Sequence, residues 1–391
     1  MPIIKHHGAT MRFQPRIRKG AFLEAAWRHG CRRYSVYNRT YISTTFSDPI
    51  HEYWKVTKDV AIWPVMGERQ VEISGPDAAD FVQYLTTRNI EKCAVGQCKY
   101  ALLTAPDGGI VSDPIILRLE EDRFWLSTSD CDLELWARGV AVNSSMRMTI
   151  RDAGVSVIQV QGPKSPHLMH SLFGESILDL KYYWLASAMF QGHELKISRT
   201  GWSGEFGYEI YLINPRQGDA LFDALMEAGK PFGVAPGAVN HMRRIESGIL
   251  SWGVDMTLEE NPYELGLGRL VELDGTPDFI GREALMRLKD KPVGRRLVGL
   301  VVDGDVLEPN EDPWPLRAAD AEVGKITSLA YSPRLRKNIS LGIVAAEHSA
   351  PDTALAVDAW DGPRIARVAD VPFVPKRQAG SARALIADAP V

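Results

Sequence analysis

Residues 199–210 read RTGWSGEFGYEI, a glycine-rich loop with two carboxylates, Glu205 and Glu209, four apart. The loop feeds a strand-like stretch from Tyr208 to Leu212. One acid in such a loop is routine solvation. Glu209, between Tyr208 and Ile210, falls on a half-buried surface, where an unpaired carboxylate is costly. Something must receive its charge or its hydrogen bonds. A further acid, Asp113, follows Ser112 in PDGGIVSDPII, just after a tight turn. Neighbours in a strand point to opposite faces, so only one of Ser112 and Asp113 can face a given pocket. Asp113 precedes a proline and is biased to extended backbone; capping a turn is its plain alternative. GERQVEI, residues 67–73, sets Glu68, Arg69 and Gln70 ahead of a strand, where a solvated edge is the plain alternative. Arg244 and Glu246 stand two apart in a helical stretch and so do not face each other. Each is expected to have its own structural partner. Tyr37, Trp63, Tyr100, Trp202 and Tyr208 sit in loop-like segments. Most aromatics are core, and an aromatic-lined cavity for a flat heterocycle would use them equally well.

Other chemistries find little support. The chain has no GxGxxG, no GxxxxGK[ST] and no HExxH, which speaks against dinucleotide, triphosphate and zinc-protease sites. GWSGE resembles a GxSxG elbow but has Glu205 where the final glycine belongs. Cys93 and Cys98 are five apart with no second pair, so no metal is expected. The formal net charge is −4 and the Lys and Arg residues are dispersed, which argues against nucleic acid and anionic membranes as partners. No apolar run approaches the ~20 residues that span a bilayer. The N-terminus lacks the apolar core of a secretory signal, and four cysteines in so long a chain suit a reducing compartment. The expectation is a cytoplasmic protein.

The elements that must position these residues read as α+β followed by β. At roughly 100–200 residues per domain, 391 residues make two or three units. Residues 1–50 form a basic, aromatic extension with a short helix around residues 20–29. Residues 51–287 form a body. In it, residues 100–104, 110–119 and 124–127 read as a β-meander, with Pro106 to Gly109 as its first turn. Strand, Gly-Pro turn and helix recur at Ser74-Gly75-Pro76 and Gln161-Gly162-Pro163, which suggests two similar substructures, each a sheet backed by a helix. Residues 218–228 and 237–248 carry helical spacing. A polar linker at 288–296 precedes residues 297–375, whose short strands at 297–302, 324–330, 340–344 and 366–369 suit a small barrel. Residues 376–391 lack a pattern that must pack and are expected as a loose tail.

Several segments together resemble the glycine-cleavage T-protein (aminomethyltransferase) family. RTGWSGEFGYEI is similar to its RTGYTGEDGxEI loop, GGIVSDPII to its GGIxDDxxV strand, and RIESGILSWGVDM to its RLExGxxLYGxD helix. The likeness runs from about residue 50 to about residue 375. YSVYN, ERQVEISG, VSDP, QGPKS and RIES, with Trp202 in place of the family's tyrosine, resemble one branch more closely, the tetrahydrofolate-dependent dimethylsulfoniopropionate demethylases.

The resemblance implies a folate-binding body of sheets backed by helices, a C-terminal β-barrel, and tetrahydrofolate as co-substrate. It implies Glu209 as the acid that grips the pterin, with Tyr208, Trp202, Tyr100 and Asn240 as further folate contacts. Asn240 stands where T-proteins place an arginine, and Ser112 stands where they place the catalytic aspartate, with Asp113 matching the second of the pair. Asp113, Tyr100 and Ser112 are therefore the catalytic candidates. Tyr37, Trp202, Arg69 and Gln70 are the candidates for the small-molecule methyl donor. The implied reaction moves a methyl group from dimethylsulfoniopropionate to N5 of tetrahydrofolate. A neutral thioether leaves without a general acid, which suits the loss of the first aspartate. An O- or N-demethylase, and an aminomethyltransferase, stay open as alternatives. So does the oligomeric state, a homodimer included.

Overall fold

The computed structural model describes residues 13–387. The N-terminal part of the extension, residues 1–12, and residues 388–391 of the expected tail lie outside the described residues. The extension contributes helix α1 (Leu23–Arg28) and a hairpin of β1 (Arg33–Tyr37) and β2 (Thr40–Thr45). Helix α2 (Pro49–Lys58) starts where Asp48 caps it, its carboxylate accepting from the backbone N–H groups of Ile50 and His51 at 2.9 and 3.0 Å. Then come β3 (Ala61–Trp63), β4 (Gln70–Ser74) and α3 (Ala78–Leu85). The meander follows as β5 (Cys98–Tyr100), β6 (Leu103–Thr104), β7 (Ile110–Ser112), β8 (Ile115–Glu120) and β9 (Arg123–Ser127), closed by α4 (Leu133–Ala141) and β10 (Thr149–Asp152).

Two of the meander's expected strands are broken. Residues 100–104 divide between β5 and β6, and residues 110–119 between β7 and β8. Pro114 has no N–H for the ladder and extends the residue before it. The chain therefore leaves one pairing and enters another: β6 and β7 form their own two-stranded sheet, while β5 and β8 join the larger one. Asp113 sits in that break.

The second half repeats the plan with β11 (Ser156–Gln161), α5 (Ser165–Phe173), β12 (Leu185–Phe190), β13 (His193–Ser198), β14 (Gly207–Leu212), α6 (Gly218–Ala228) and β15 (Ala235–Pro236). The first sheet has the order β10-β4-β9-β8-β5 and the second β15-β3-β11-β14-β13-β12. They match strand for strand, except that β3 is inserted beside β11. Gly75 and Gly162, with φ of +129° and +126°, make the equivalent turns into α3 and α5. The two halves thus share one strand order. The two sheets face each other across Trp63, Leu117, Trp125, Val157 and Tyr211, and each has its helices on the outer side.

Helix α7 (His241–Glu246) is shorter than the helical spacing of residues 237–248 suggests, and α8 (Arg282–Lys289) leads to the linker. The barrel is closed, with the order β16-β19-β18-β17-β20-β21. Its strands are β16 (Arg295–Val302), β17 (Trp314–Ala318), β18 (Ala321–Ser332), β19 (Lys337–Ala345), β20 (Ala354–Ala359) and β21 (Gly362–Ala369). Strands β17 and β20 are additions to the sequence expectation. The loose tail is corrected for its described part. Helix α9 (Ala382–Ala387) buries Ala382 and packs Leu385 and Ile386 on the second half's core, and Arg383 bonds Asp179 and Glu175 at 2.6 to 3.0 Å. Two apolar side chains in one turn are too weak a local signal; the docking site is supplied by residues some 200 positions away in the chain.

Candidate functional site

A cavity of about 980 Å³ opens where the two sheets, the extension's hairpin and the chain after the barrel converge. Glu209 is on its wall and is 5% exposed. Strand β14 is central in its sheet, and register places Gln159 of β11 on one side of Glu209 and Ser198 of β13 on the other. Gln159 Nε2 donates to Glu209 Oε1 at 2.7 Å, while Tyr211 donates to Oε2 at 2.9 Å and Thr200 Oγ1 also bonds Oε2. Burial raises the carboxyl's pKa above the usual range, and the bonds from Thr200, Tyr211 and Gln159 oppose that rise. Gln159, Thr200 and Tyr211 escaped the sequence reading. Tyr211 was within reach of it, because residues two apart in a strand share a face.

The same alternation overturns Tyr208 as a cavity residue. It points to the opposite face, is fully buried, and packs on Phe206 with ring centroids 5.8 Å apart beneath the Arg199 guanidinium. Trp202, in the preceding loop, does line the cavity, with Arg244 5.4 Å from its ring centre. The loop is folded around Gln161, whose amide accepts from Ser203 at 2.6 Å and donates to the carbonyls of Thr200 and Tyr208. Glu205 turns away from the cavity and accepts from Arg243 Nε at 2.8 Å.

On the facing wall, Asp113 and Tyr100 line the cavity and are bonded to each other at 3.0 Å. Asp113 Oδ1 is buried without a hydrogen-bond partner among the described residues. Burial pushes this carboxyl up to about 7, against the bonds from Tyr100 and Ser129. Ser112 does not reach the cavity. It is fully buried and turned to Ser129 Oγ and Cys131 Sγ at 3.1 and 3.2 Å. Of the Ser112–Asp113 pair, the aspartate faces inward.

Tyr37, on the hairpin, lines the cavity. Arg69 and Gln70 do not. The Arg69 guanidinium is held by Asp152 at 2.9 Å and Glu134 at 3.1 Å, and Gln70 donates to Ser127 Oγ and the Glu68 carbonyl at 3.0 Å. Their neighbour Glu68 is the one that lines the cavity. Asn240 is also corrected: its side chain caps α7, accepting from Arg243 N at 2.9 Å, and its neighbour His241 reaches the cavity instead. Burial, with Arg244 beside it, pushes His241 down to about 3, so the imidazole is neutral. Arg244 and Glu246 have separate partners, as their spacing requires. Arg244 pairs with Asp255, and Glu246 accepts from Tyr53.

Among the described residues no group of acids, histidines and cysteines is arranged to hold a metal ion, and no helix is long and apolar enough to cross a membrane. The arrangement joins a hydrogen-bonded carboxyl, an acid of raised pKa and several aromatic rings, Tyr37, Tyr100 and Trp202 among them, around one space. That combination can hold a flat polar ring and a small partner together.

A family model described as the GCVT N-terminal domain matches residues 17–275, and one described as the glycine cleavage T-protein C-terminal barrel domain matches residues 295–375. The chain is 36% identical over 349 residues to the dimethylsulfoniopropionate demethylase DmdA of Ruegeria pomeroyi, covering 89% of this chain and 95% of that one. It is 34% identical over 341 residues to an aminomethyltransferase of Symbiobacterium thermophilum, covering 84% and 90%. The crystal structure of the glycine cleavage system aminomethyltransferase T from Bartonella henselae superposes with a TM-score of 0.82 over 92% of this chain and 99% of that one; at 20% identity it speaks to the fold.

Proposed function

This chain belongs to the glycine-cleavage T-protein family, and on that premise we propose that it transfers a methyl group from dimethylsulfoniopropionate to tetrahydrofolate. The products are methylthiopropionate and 5-methyltetrahydrofolate. At the coarser level it is a folate-dependent one-carbon transferase.

The observation that carries the reading is Glu209, a buried carboxylate presented to a cavity of about 980 Å³. That volume lies in the range of pockets that enclose a cofactor-sized ligand. A carboxylate suits the adjacent N–H donors of an aminopyrimidinone, and charge-assisted bonds to it compensate its burial. Among the described residues Gln159 is the donor to Glu209 Oε1, which leaves that oxygen capacity for such a partner. Reduced folate, when bound, supplies a nucleophilic nitrogen.

The protein's own contribution is alignment. Glu209 fixes the ring's orientation, and Tyr37, Tyr100 and Trp202 offer aromatic faces to a sulfonium, at roughly 0.5–2 kcal/mol for a cation–π contact. Holding two reactants in line contributes up to roughly 7–11 kcal/mol at its limit. A thioether departs neutral and asks nothing of Asp113.

One observation favours a second reading. The sequence suggests that replacing an aspartate by Ser112 strips the site of its acid, yet Asp113 faces the cavity with a carboxyl near pKa 7. A group that keeps its proton near neutrality can serve an amine leaving group, so a methylated amine is the alternative donor. Turnover with tetrahydrofolate and dimethylsulfoniopropionate, glycine betaine, sarcosine or vanillate separates the two. Formation of 5-methyltetrahydrofolate with the sulfonium alone is expected. Product only with another donor overturns the assignment.

A further inference from the structure

Three carboxyl groups line the cavity: Glu68, Asp113 and Glu209. Among the described residues none of the three is in an ion pair; their side-chain partners are Gln159, Tyr100, Thr200 and Tyr211. Of the cations on the cavity wall, Arg88 and Lys92 pair with Glu272 and Lys99 donates to the Asn89 carbonyl, while Arg269 lies near Tyr100 and Lys376 near Arg269.

Glu68 and Asp113 each have one side-chain hydrogen-bond partner among the described residues, and Glu68 is the one that meets a second carboxyl. Gln159 Nε2 donates to Glu68 Oε1 at 3.2 Å and to Glu209 Oε1 at 2.7 Å, so two carboxyl groups meet through one amide nitrogen. Glu209 has further donors in Thr200 and Tyr211, whereas among the described residues Glu68 has Gln159 alone. The titratable groups near this pair are phenol, thiol or carboxyl: Tyr211 on β14, Cys98 on β5, Tyr37 on β1, and Asp113 near Tyr37. Glu68, half-buried on this wall, has no cationic partner among the described residues.

We propose that Glu68 recognises positive charge on the methyl donor, its carboxylate lying against the onium centre, so that the enzyme selects permanently cationic donors over neutral ones. This deepens the reading above and rests on it in placing the donor in this cavity. Burial and the neighbouring Glu209 hold the Glu68 carboxyl well above its ordinary range while no cation is present. An arriving onium ion reverses that balance, and Glu68 releases its proton. After transfer the donor is a neutral thioether with no claim on that charge, which eases its departure.

The test compares trimethylsulfonium, dimethylsulfoniopropionate and its uncharged-centre carbon analogue 4-methylpentanoate, titrated calorimetrically into the protein and its Glu68→Gln variant. Glutamine still accepts from Gln159 but carries no charge. The onium ligands are expected to bind roughly 30-fold or more weakly to the variant, with folate and 4-methylpentanoate affinities unchanged. Titrations in two buffers of different ionisation heat should show proton release on onium binding in the parent protein and none in the variant. Equal onium affinity in both proteins overturns the proposal, as does a wild-type protein that binds no onium probe. Lost folate affinity with intact onium binding also overturns it, assigning Glu68 to the cofactor. Should Glu68→Gln fail to fold, Glu68→Asp carries the test, with onium selectivity over 4-methylpentanoate retained. Glu68-dependent binding of trimethylsulfonium without turnover of dimethylsulfoniopropionate would remove the donor assignment and leave this one standing.

Discussion

The Tyr100 hydroxyl donates to Asp113 Oδ2 at 3.0 Å, across the break that Pro114 makes in the meander. Tyr100 is opposite Ile115 in the β5–β8 ladder, so pairing of the strand after the break brings the phenol to the acid before it. The bond holds one carboxyl oxygen and leaves the other buried and unpartnered. Burial with one oxygen unpartnered raises this carboxyl to about 7.

Asp113 should therefore lower stability as pH rises. Its folded pKa of about 7 is above the ordinary 3.8. Between those values the native state holds a proton that the unfolded state has lost, so unfolding free energy falls as pH increases through the window. The ceiling is roughly 4 kcal/mol, from a span of about three pH units at 1.36 kcal/mol each. Urea midpoints at about pH 5 and about pH 8 should converge for Asp113→Asn relative to the parent. An unchanged pH dependence in the variant would refute the raised pKa.

Glu209→Gln should weaken folate binding by roughly 10- to 150-fold, the loss expected when hydrogen bonds to a charged group are downgraded. Tyr208→Phe is the control. Its side chain is on the opposite face of β14, and folate affinity should stay where it was. Fluorescence titration reads both.

A buried ion pair of the body sits at its joint with the barrel. Arg244 Nη1 and Asp255 Oδ2 are 2.5 Å apart, and Asp255 Oδ1 also accepts from Thr327 and Ser328 of β18 at 2.6 Å. Removing one member leaves a buried charge, at a cost of roughly 3–5 kcal/mol, so Asp255→Ala should lower the urea midpoint by a corresponding amount. Arg244 and these hydroxyls hold the Asp255 carboxyl below its ordinary value despite its burial. Its contribution is accordingly present at neutral pH and lost as pH falls through the folded pKa.

The Trp202 loop needs glycine at position 204. The residue has φ of +72°, and a Cβ there would lie 2.0 Å from Ser247 Oγ. Gly204→Ala should destabilise by roughly 1–3 kcal/mol and reduce turnover by displacing the loop. Ser247→Gly in the same chain should recover the steric part and leave the backbone strain. Thermal midpoints and turnover of the single and double variants check both.

Much of this was legible before folding was considered. The duplicated strand-turn-helix plan, the barrel and the pairing of Arg244 and Glu246 with different partners follow from spacing and turn chemistry. Ser112 and Asp113 show where such reasoning stops. Alternation states that one of them faces inward, but the choice belongs to the Pro114 break and the β5–β8 register. Arg69 and Asn240 look available for a ligand until Asp152, Glu134 and the first turn of α7 claim them.

The chain's family membership and the motifs that carry Glu209, Asp113 and Trp202 were determined by the linear chain, because local turns and motif spacing survive in one dimension. Which side of a strand meets the cavity, and which polar group already has a partner, was decided only in three dimensions. Glu68, Gln159 and Glu209 are 91 and 50 residues apart, and their contact through one amide is a product of sheet register, which no local pattern encodes.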